Sequence, residues 1–243
     1  MIIGIIPARY ASTRFPGKPL ADIAGKPMIQ RVYEQAQQCD LLDQVIIATD
    51  HEAIQEVALQ FTEHVVMTAT EHKNGTERCA EVAASTTGDY FLNIQGDEPF
   101  IDPQQIKLVC ESLLAGAKIA TLKIKIEDWQ DIQDSNLVKV VTDHHGRALY
   151  FSRSPIPYCK ARPKEQWPME QTYYKHVGLY GFHKATLEEV VKLPQAGLEV
   201  AESLEQLRWL AHGYSIQVQE TTIDSTGIDV PADIDQALRI FQP

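Results

Sequence analysis

Residues 5–18 constrain this chain more than any other stretch. Ile2, Ile3, Ile5 and Ile6 form a short apolar run that reads as a buried strand stopping at Pro7, a residue with no N–H to donate. The loop that follows carries Arg9, Arg14 and Lys18, with Ser12, Thr13 and Gly17 between the cations. In an α/β sheet, a loop at the carboxyl end of the first strand is a favoured place for ligands. Fixed cations, hydroxyls and free backbone N–H groups suit a polyphosphate. A solvated basic loop is the ordinary fate of such a cluster. Here, however, the net charge of the chain is −11, so three cations in one loop run against the overall field.

The strand–loop–helix rhythm continues from there. Pro27 opens a helix whose Ile29, Val32, Tyr33 and Ala36 fall on one apolar face. Val45–Ala48 reads as a second buried strand, closed by Thr49 and Asp50, with a helix from about Glu52 to Phe61. A short strand at Val65–Met67, a helix through Ala80–Ala84, a strand at Tyr90–Ile94 and a helix from Pro103 to near Gly116 follow. This alternation predicts a mostly parallel, doubly wound sheet.

After Ile119 the pattern changes. Residues 119–126 and 137–142 alternate as strands do, and Asp143-His144-His145-Gly146 is a turn candidate leading into Ala148–Ser152. Residues 119–182 are therefore expected to be largely antiparallel. Their Pro-rich excursion (Pro155, Pro157, Pro163 and Pro168) is barred from a sheet centre and suits a subunit contact. Helices near 184–192 and 200–212, a strand from Ser215 to Gln219 and a helix after Pro231 complete the reading. No linker divides the chain, so the expectation is one domain over 1–243 with an insertion at about 119–182.

Composition narrows the class of partner. With 243 residues, 44% of them hydrophobic and 23% charged, the chain can bury a substantial core. Its acidic balance disfavours nucleic acid, whereas a local basic pocket for a small anion remains compatible. Cys39, Cys79, Cys110 and Cys159 are widely spaced and read as small buried hydrophobes. The first residues read as a core strand rather than a signal peptide, and no run approaches the roughly 20 apolar residues of a membrane span. No membrane partner and a cytoplasmic location are expected.

Several residues could carry chemistry. Asp97 and Glu98 follow a strand end beside Gly96, where a carboxylate can hold Mg²⁺ together with substrate phosphates. Asp229 sits between Gly227 and the helix-opening Pro231; taken alone it is a plain helix-start acid. A basic loop and a second acidic loop in the same chain add weight to a metal role. Gly75-Thr76-Glu77-Arg78 opens a helix, a second candidate anion site. His176 lies in a strand-like run, and Glu202, Glu205 and Gln206 lie on a helix where they could simply face water. The residues themselves thus reach a polyphosphate- and metal-using α/β enzyme.

A resemblance carries the reading further. I-P-A-R-Y-A-S-T-R-F-P-G-K-P-L (6–20), A-T-D (48–50), G-T-E-R (75–78), N-I-Q-G-D-E-P (93–99), F-S-R-S-P-I-P (151–157), H-V-G-L-Y (176–180), E-S-L-E-Q-L-R (202–208) and G-I-D-V-P (227–231) occur in that order. Together they resemble the 3-deoxy-manno-octulosonate (KDO) cytidylyltransferases over the whole chain. The resemblance implies an α/β, Rossmann-like mixed sheet with an antiparallel dimerisation arm, and a homodimer. It implies transfer of CMP from CTP to the anomeric hydroxyl of KDO, releasing pyrophosphate and supplying lipopolysaccharide assembly. Arg9, Arg14 and Lys18 match the triphosphate loop, Arg78 a nucleotide-side arginine, and Asp97 and Asp229 the Mg²⁺ carboxylates. Arg14, Lys18 and Asp97 are the implied catalytic set, while Gln95, His176, Tyr180, Glu205 and Gln206 match the sugar pocket. Asn74, Glu77 and Lys175 depart from the common family pattern. The alternatives are the same reaction on a related 2-keto sugar acid, such as the 8-amino analogue, and a non-catalytic nucleotide-binding module.

Overall fold

The structure, a computed structural model, describes residues 1–11, 15–224 and 227–240. Strand β1 (Ile2–Ala8) runs into the cationic loop, a one-turn 3-10 helix at Lys18–Leu20, and a small hairpin of β2 (Asp22–Ile23) and β3 (Lys26–Pro27). Then come α1 (Met28–Ala36), β4 (Gln44–Thr49), α2 (Glu52–Ala58) and β5 (Val65–Met67). Helix α3 (Gly75–Ser85), β6 (Tyr90–Asn93) and α4 (Pro103–Leu114) complete the alternating half. The second half holds β7 (Ile119–Ile126), α5 (Trp129–Gln133), β8 (Lys139–Thr142), β9 (Ala148–Ser152), α6 (Trp167–Glu170) and β10 (Tyr173–His183). Last are α7 (Lys184–Val190), α8 (Gly197–Glu202), α9 (Gln206–Ala211), β11 (Gln217–Thr221) and α10 (Ala232–Ile240).

The main sheet has the order β11-β7-β10-β6-β1-β4-β5, with β8 attached to β10 and β9 to β8. β1 is parallel to both β4 and β6, and β5 extends the parallel half. β10 runs antiparallel between β6 and β7, and β11 is parallel to β7. Successive side chains of a strand point to opposite faces, so β1 feeds two cores. Ile2, Ile6 and Ala8 pack with Ile29, Val32, Ile54, Ile106 and Val109 of α1, α2 and α4. Ile3 and Ile5 pack on the other face with Cys79, Val82, Leu187, Leu207 and Trp209 of α3, α7 and α9. Coverage on both faces explains why β1 is an unbroken apolar run.

The structure refines several sequence expectations. β1 continues past Pro7 to Ala8. Ile5 O accepts from Ile94 N, so Pro7, two residues on, faces the same side, where pairing with β6 has already ended at Ile5–Asn93. The missing N–H therefore costs no ladder bond. The antiparallel character expected of 119–182 is found in the pairing of β10 with β7 and β8 and of β8 with β9, but β7 and β10 are main-sheet strands, and β7 is buried on both faces over residues 119–122 and alternates only from Lys123 to Ile126. The helix from Glu52 stops at Ala58. The helix expected over 200–212 is two helices, broken at Ser203 in the left-handed conformation (φ 52°). The next strand begins at Gln217, two residues later than expected. Cys39, Cys79 and Cys110 are buried as read from the sequence, while Cys159 is half-buried.

Candidate active site

The carboxyl ends of β1 and β6 face a cavity of about 390 Å³. Ala8, Arg9 and Lys18 line one side, residues 72–75 and Arg78 another, and Gln95, Gly96, Asp97 and Asp229 the third. Gly96 is required here: a Cβ on it would lie 2.7 Å from the Pro7 carbonyl oxygen, because the 95–97 turn crosses directly over the end of β1. Gly17 closes the cationic loop, with φ 68° and its N–H donating to Tyr10 O at 3.1 Å. Tyr10 in turn stacks on His51 at 4.1 Å between ring centroids. Arg14, assigned to the triphosphate loop from the sequence, lies outside the described residues.

Asp97 and Asp229, 132 positions apart in the sequence, meet at Lys18. The Lys18 ammonium donates to Asp97 Oδ2 at 2.7 Å and to Ile228 O at 2.9 Å, and it lies 3.5 Å from Asp229 Oδ1. Packing holds the second acid in place. Ile228 is fully buried with Ile23, Met28 and Ala237, and its N–H donates to Asp97 O at 2.8 Å. Asp233 accepts from the N–H groups of Asp229 and Val230, pinning the turn into α10. No group of three or more His, Cys, Asp or Glu side chains able to hold a metal occurs among the described residues. Two carboxylates facing a phosphate-sized cavity suit Mg²⁺, which takes one or two protein carboxylates and fills its shell with substrate phosphate and water. The ammonium between them already stands as a cation in that position.

Arg78 reaches the same cavity but is a buried strut. Its guanidinium pairs with Asp50 at 2.7 Å and donates to the Thr68 hydroxyl, tying α3 to the ends of β4 and β5. Asn74 caps α3, its Oδ1 accepting from Glu77 N at 2.9 Å. Its Nδ2 also donates to Glu205 Oε1 at 3.0 Å, and Thr76 donates to Glu205 Oε2 at 2.7 Å. Glu205 thus sits behind Asn74, away from the cavity wall, and burial raises its pKa above the usual 4.5. Gln206 is buried beside it rather than turned to water. Glu202 is likewise engaged, accepting from the Ser152 hydroxyl at 2.6 Å and Arg153 N at 2.9 Å. Glu77 turns back on its own loop and accepts from Lys73 N, and Lys175 pairs with Asp224 at 2.7 Å. Of the three departures from the family pattern, Asn74 therefore bears most directly on the cavity.

The remaining residues assigned to the sugar lie on β10 or bond to it. Gln95 lines the cavity and donates to Gly178 O at 2.9 Å, at the irregularity where β10 slips register against β7. His176 borders an adjoining recess of about 190 Å³ and shares a 2.9 Å hydrogen bond with Thr121. The Thr121 oxygen also meets the carbonyls of Val177 and Leu179. A carbonyl only accepts, so the Thr121 proton goes to one of them and His176 Nε2–H donates to Thr121, leaving Nδ1 as an acceptor. Burial lowers the imidazole pKa to about 3, so the ring is neutral in ordinary buffers. Tyr180 packs on His176 with ring centroids 5.2 Å apart. Among the described residues its buried hydroxyl has no hydrogen-bond partner of good geometry, and neither has Asn93 Oδ1, its register partner on β6. Asn93 went unremarked as a site candidate in the sequence; its position at a strand end beside the acidic turn was the available signal.

The family described as Cytidylyltransferase matches residues 3–220. A 3-deoxy-manno-octulosonate cytidylyltransferase of Parabacteroides distasonis is 49% identical over 243 residues, spanning 97% of this chain and 96% of its own. One from Bacteroides thetaiotaomicron is 48% identical over 241 residues, with 97% and 96% covered. A solved CMP:2-keto-3-deoxy-manno-octonic acid synthetase complexed with CTP superposes with a TM-score of 0.92 at 38% identity, covering 98% of this chain and 97% of that one. A glucose-1-phosphate thymidylyltransferase of Bacillus anthracis, 16% identical with a TM-score of 0.66, shares the fold alone. With near-complete coverage in both directions at nearly half identity, the chain belongs to the 3-deoxy-manno-octulosonate cytidylyltransferase family.

Proposed function

We infer that the chain transfers CMP from CTP to the anomeric hydroxyl of KDO, releasing pyrophosphate and activating the sugar for lipopolysaccharide assembly. The observation that carries this reading is the meeting of Asp97, Asp229 and Lys18 at the rim of a cavity edged by Arg9 and the positive end of α3. Attack of a hydroxyl on the α-phosphorus needs positioning and charge neutralisation more than a covalent nucleophile. The cavity offers both. Lys18 and Arg9 meet triphosphate charge, and the eleven-residue α3 presents its amino end beside them. Gln95, held by Gly178, and neutral His176, held by Thr121, present fixed polar groups on the side assigned to the sugar.

Asp97 and Asp229 are the residues that would hold Mg²⁺. When bound, Mg²⁺ supplies charge neutralisation at the reacting phosphate and lowers the pKa of a coordinated hydroxyl. The exposed apolar side chains of Tyr158 and Met169 on the Pro-rich arm, 76% and 85% accessible, support a homodimer contact there. Among the described residues no helix is long and apolar enough to cross a membrane, and the dissolved substrates fit a cytoplasmic enzyme.

The test is pyrophosphate release from CTP with Mg²⁺, with KDO and its 8-amino analogue supplied in parallel. Release with KDO, lost in Asp97→Asn and on chelation, is expected. Release with the analogue alone would keep the chemistry and transfer the acceptor assignment, with Asn74 the first position to exchange.

A further inference from the structure

Lys18 is held in a way that excludes its expected partner. An ammonium has three N–H donors and no acceptor. In this structure they face Asp97 Oδ2, Ile228 O and Asp229 Oδ1 at 2.7, 2.9 and 3.5 Å. The Lys18 side chain is 14% exposed, so little of it is left for a phosphate. The backbone bond from Ile228 N to Asp97 O and the buried Ile228 side chain force the two acids into one neighbourhood. Two carboxylates brought together repel and need a cation between them. The chain supplies its own.

We propose that Lys18 is an internal placeholder cation: it occupies the place between Asp97 and Asp229 until a divalent ion takes them, and is then released to the nucleotide triphosphate. This inference rests on the reading of Asp97 and Asp229 as metal ligands. One ammonium cannot serve the carboxylates and the phosphates at the same time, so the exchange makes metal and nucleotide assist one another's binding. By linkage, each raises the affinity of the other by the same factor. The device also gives the nucleotide-free protein a reason to bind metal poorly: the incoming ion must displace a charge-assisted hydrogen bond.

The experiment titrates Mn²⁺ into the nucleotide-free protein, reading free ion by electron paramagnetic resonance, for the wild type, Lys18→Met, Lys18→Gln and Asp97→Asn. Removing the competing ammonium should tighten Mn²⁺ binding about tenfold in both Lys18 variants, which corresponds to about 1.4 kcal/mol. Asp97→Asn should weaken it at least as much. In the wild type, saturating Mg²⁺ without nucleotide should shift the Lys18 ε-carbon resonance, a readout that needs no substitution to fold. Unchanged or weaker Mn²⁺ binding in both Lys18 variants, or a Lys18 resonance indifferent to Mg²⁺, overturns the placeholder while a weakened Asp97→Asn leaves the metal reading standing. Wild-type Mn²⁺ binding by Asp97→Asn removes the metal reading and this inference with it.

Discussion

Replacing Asn74 tests the least expected joint in the site. Its side chain makes two bonds in opposite directions, capping α3 through Glu77 N at 2.9 Å and donating to the buried Glu205 carboxylate at 3.0 Å. Losing the cap costs about 1 kcal/mol. Losing a hydrogen bond to a buried charged group costs about 1.5–2 kcal/mol more. Asn74→Ala should therefore lose about 2.5–3 kcal/mol, a fall of about 5–10 °C in Tm for a domain of this size. Asn74→Ser keeps the cap and should lose only the Glu205 share.

The pH dependence separates the two bonds. The folded pKa of Glu205 is raised above its unfolded value, so its contribution to stability is fully present below pH 4.5 and is lost as pH rises through the folded pKa. Withdrawing the Asn74 donor destabilises only the ionised carboxylate and raises that pKa further. The cost of Asn74→Ala, measured by urea unfolding, should consequently be larger at pH 8 than at pH 5. A cost that is the same at both values, or below about 0.5 kcal/mol, refutes the coupling of Asn74 to Glu205.

Other outcomes follow from the same geometry. Gly96→Ala drives a Cβ against the Pro7 carbonyl, so the turn carrying Asp97 must shift; kcat should fall on the order of 100-fold while circular dichroism stays native. Tyr180→Phe removes a buried hydroxyl that has no partner among the described residues, so Tm should hold or rise slightly, and a raised KM for the sugar at unchanged Tm would place that hydroxyl on substrate. His176 has a folded pKa near 3, depressed from 6.5, so its contribution is present above pH 6.5 and is lost as pH falls toward 3. Discounted for partial exposure, the wild type should lose about 1 kcal/mol more than His176→Gln between pH 7 and pH 5, read from urea midpoints.

Most of the first 116 residues were legible because the main-sheet strands there are compact apolar runs and each helix opens on Pro or a capping residue, whereas the polar two-residue strands β2 and β3 carry no such signal. Pro27 before α1 and the Asp102-Pro103 start of α4 are examples. The position of Gln95 and Asp97 at the cavity was equally legible, because it follows once the strand before them is placed. The second half was harder. β7 alternates only over its second half, and the strand that pairs along its edge, β11, lies about a hundred residues away in sequence. The break at Ser203 hid the inward turn of Glu205 and Gln206, since nothing local in Glu-Ser-Leu-Glu forbids a continuous helix. The partner of Asn74 lies 131 residues away, and such pairings are set by packing of the whole fold rather than by spacing.

The most direct test of cytidylyl transfer to KDO is ³¹P NMR of a single turnover, with the enzyme in excess over CTP and saturating KDO and Mg²⁺. The account predicts that the α-phosphate signal becomes a phosphodiester joined to the KDO anomeric carbon as pyrophosphate appears in equal amount. Intact CTP, or free CMP formed with no sugar-linked phosphodiester at any time point, would contradict it.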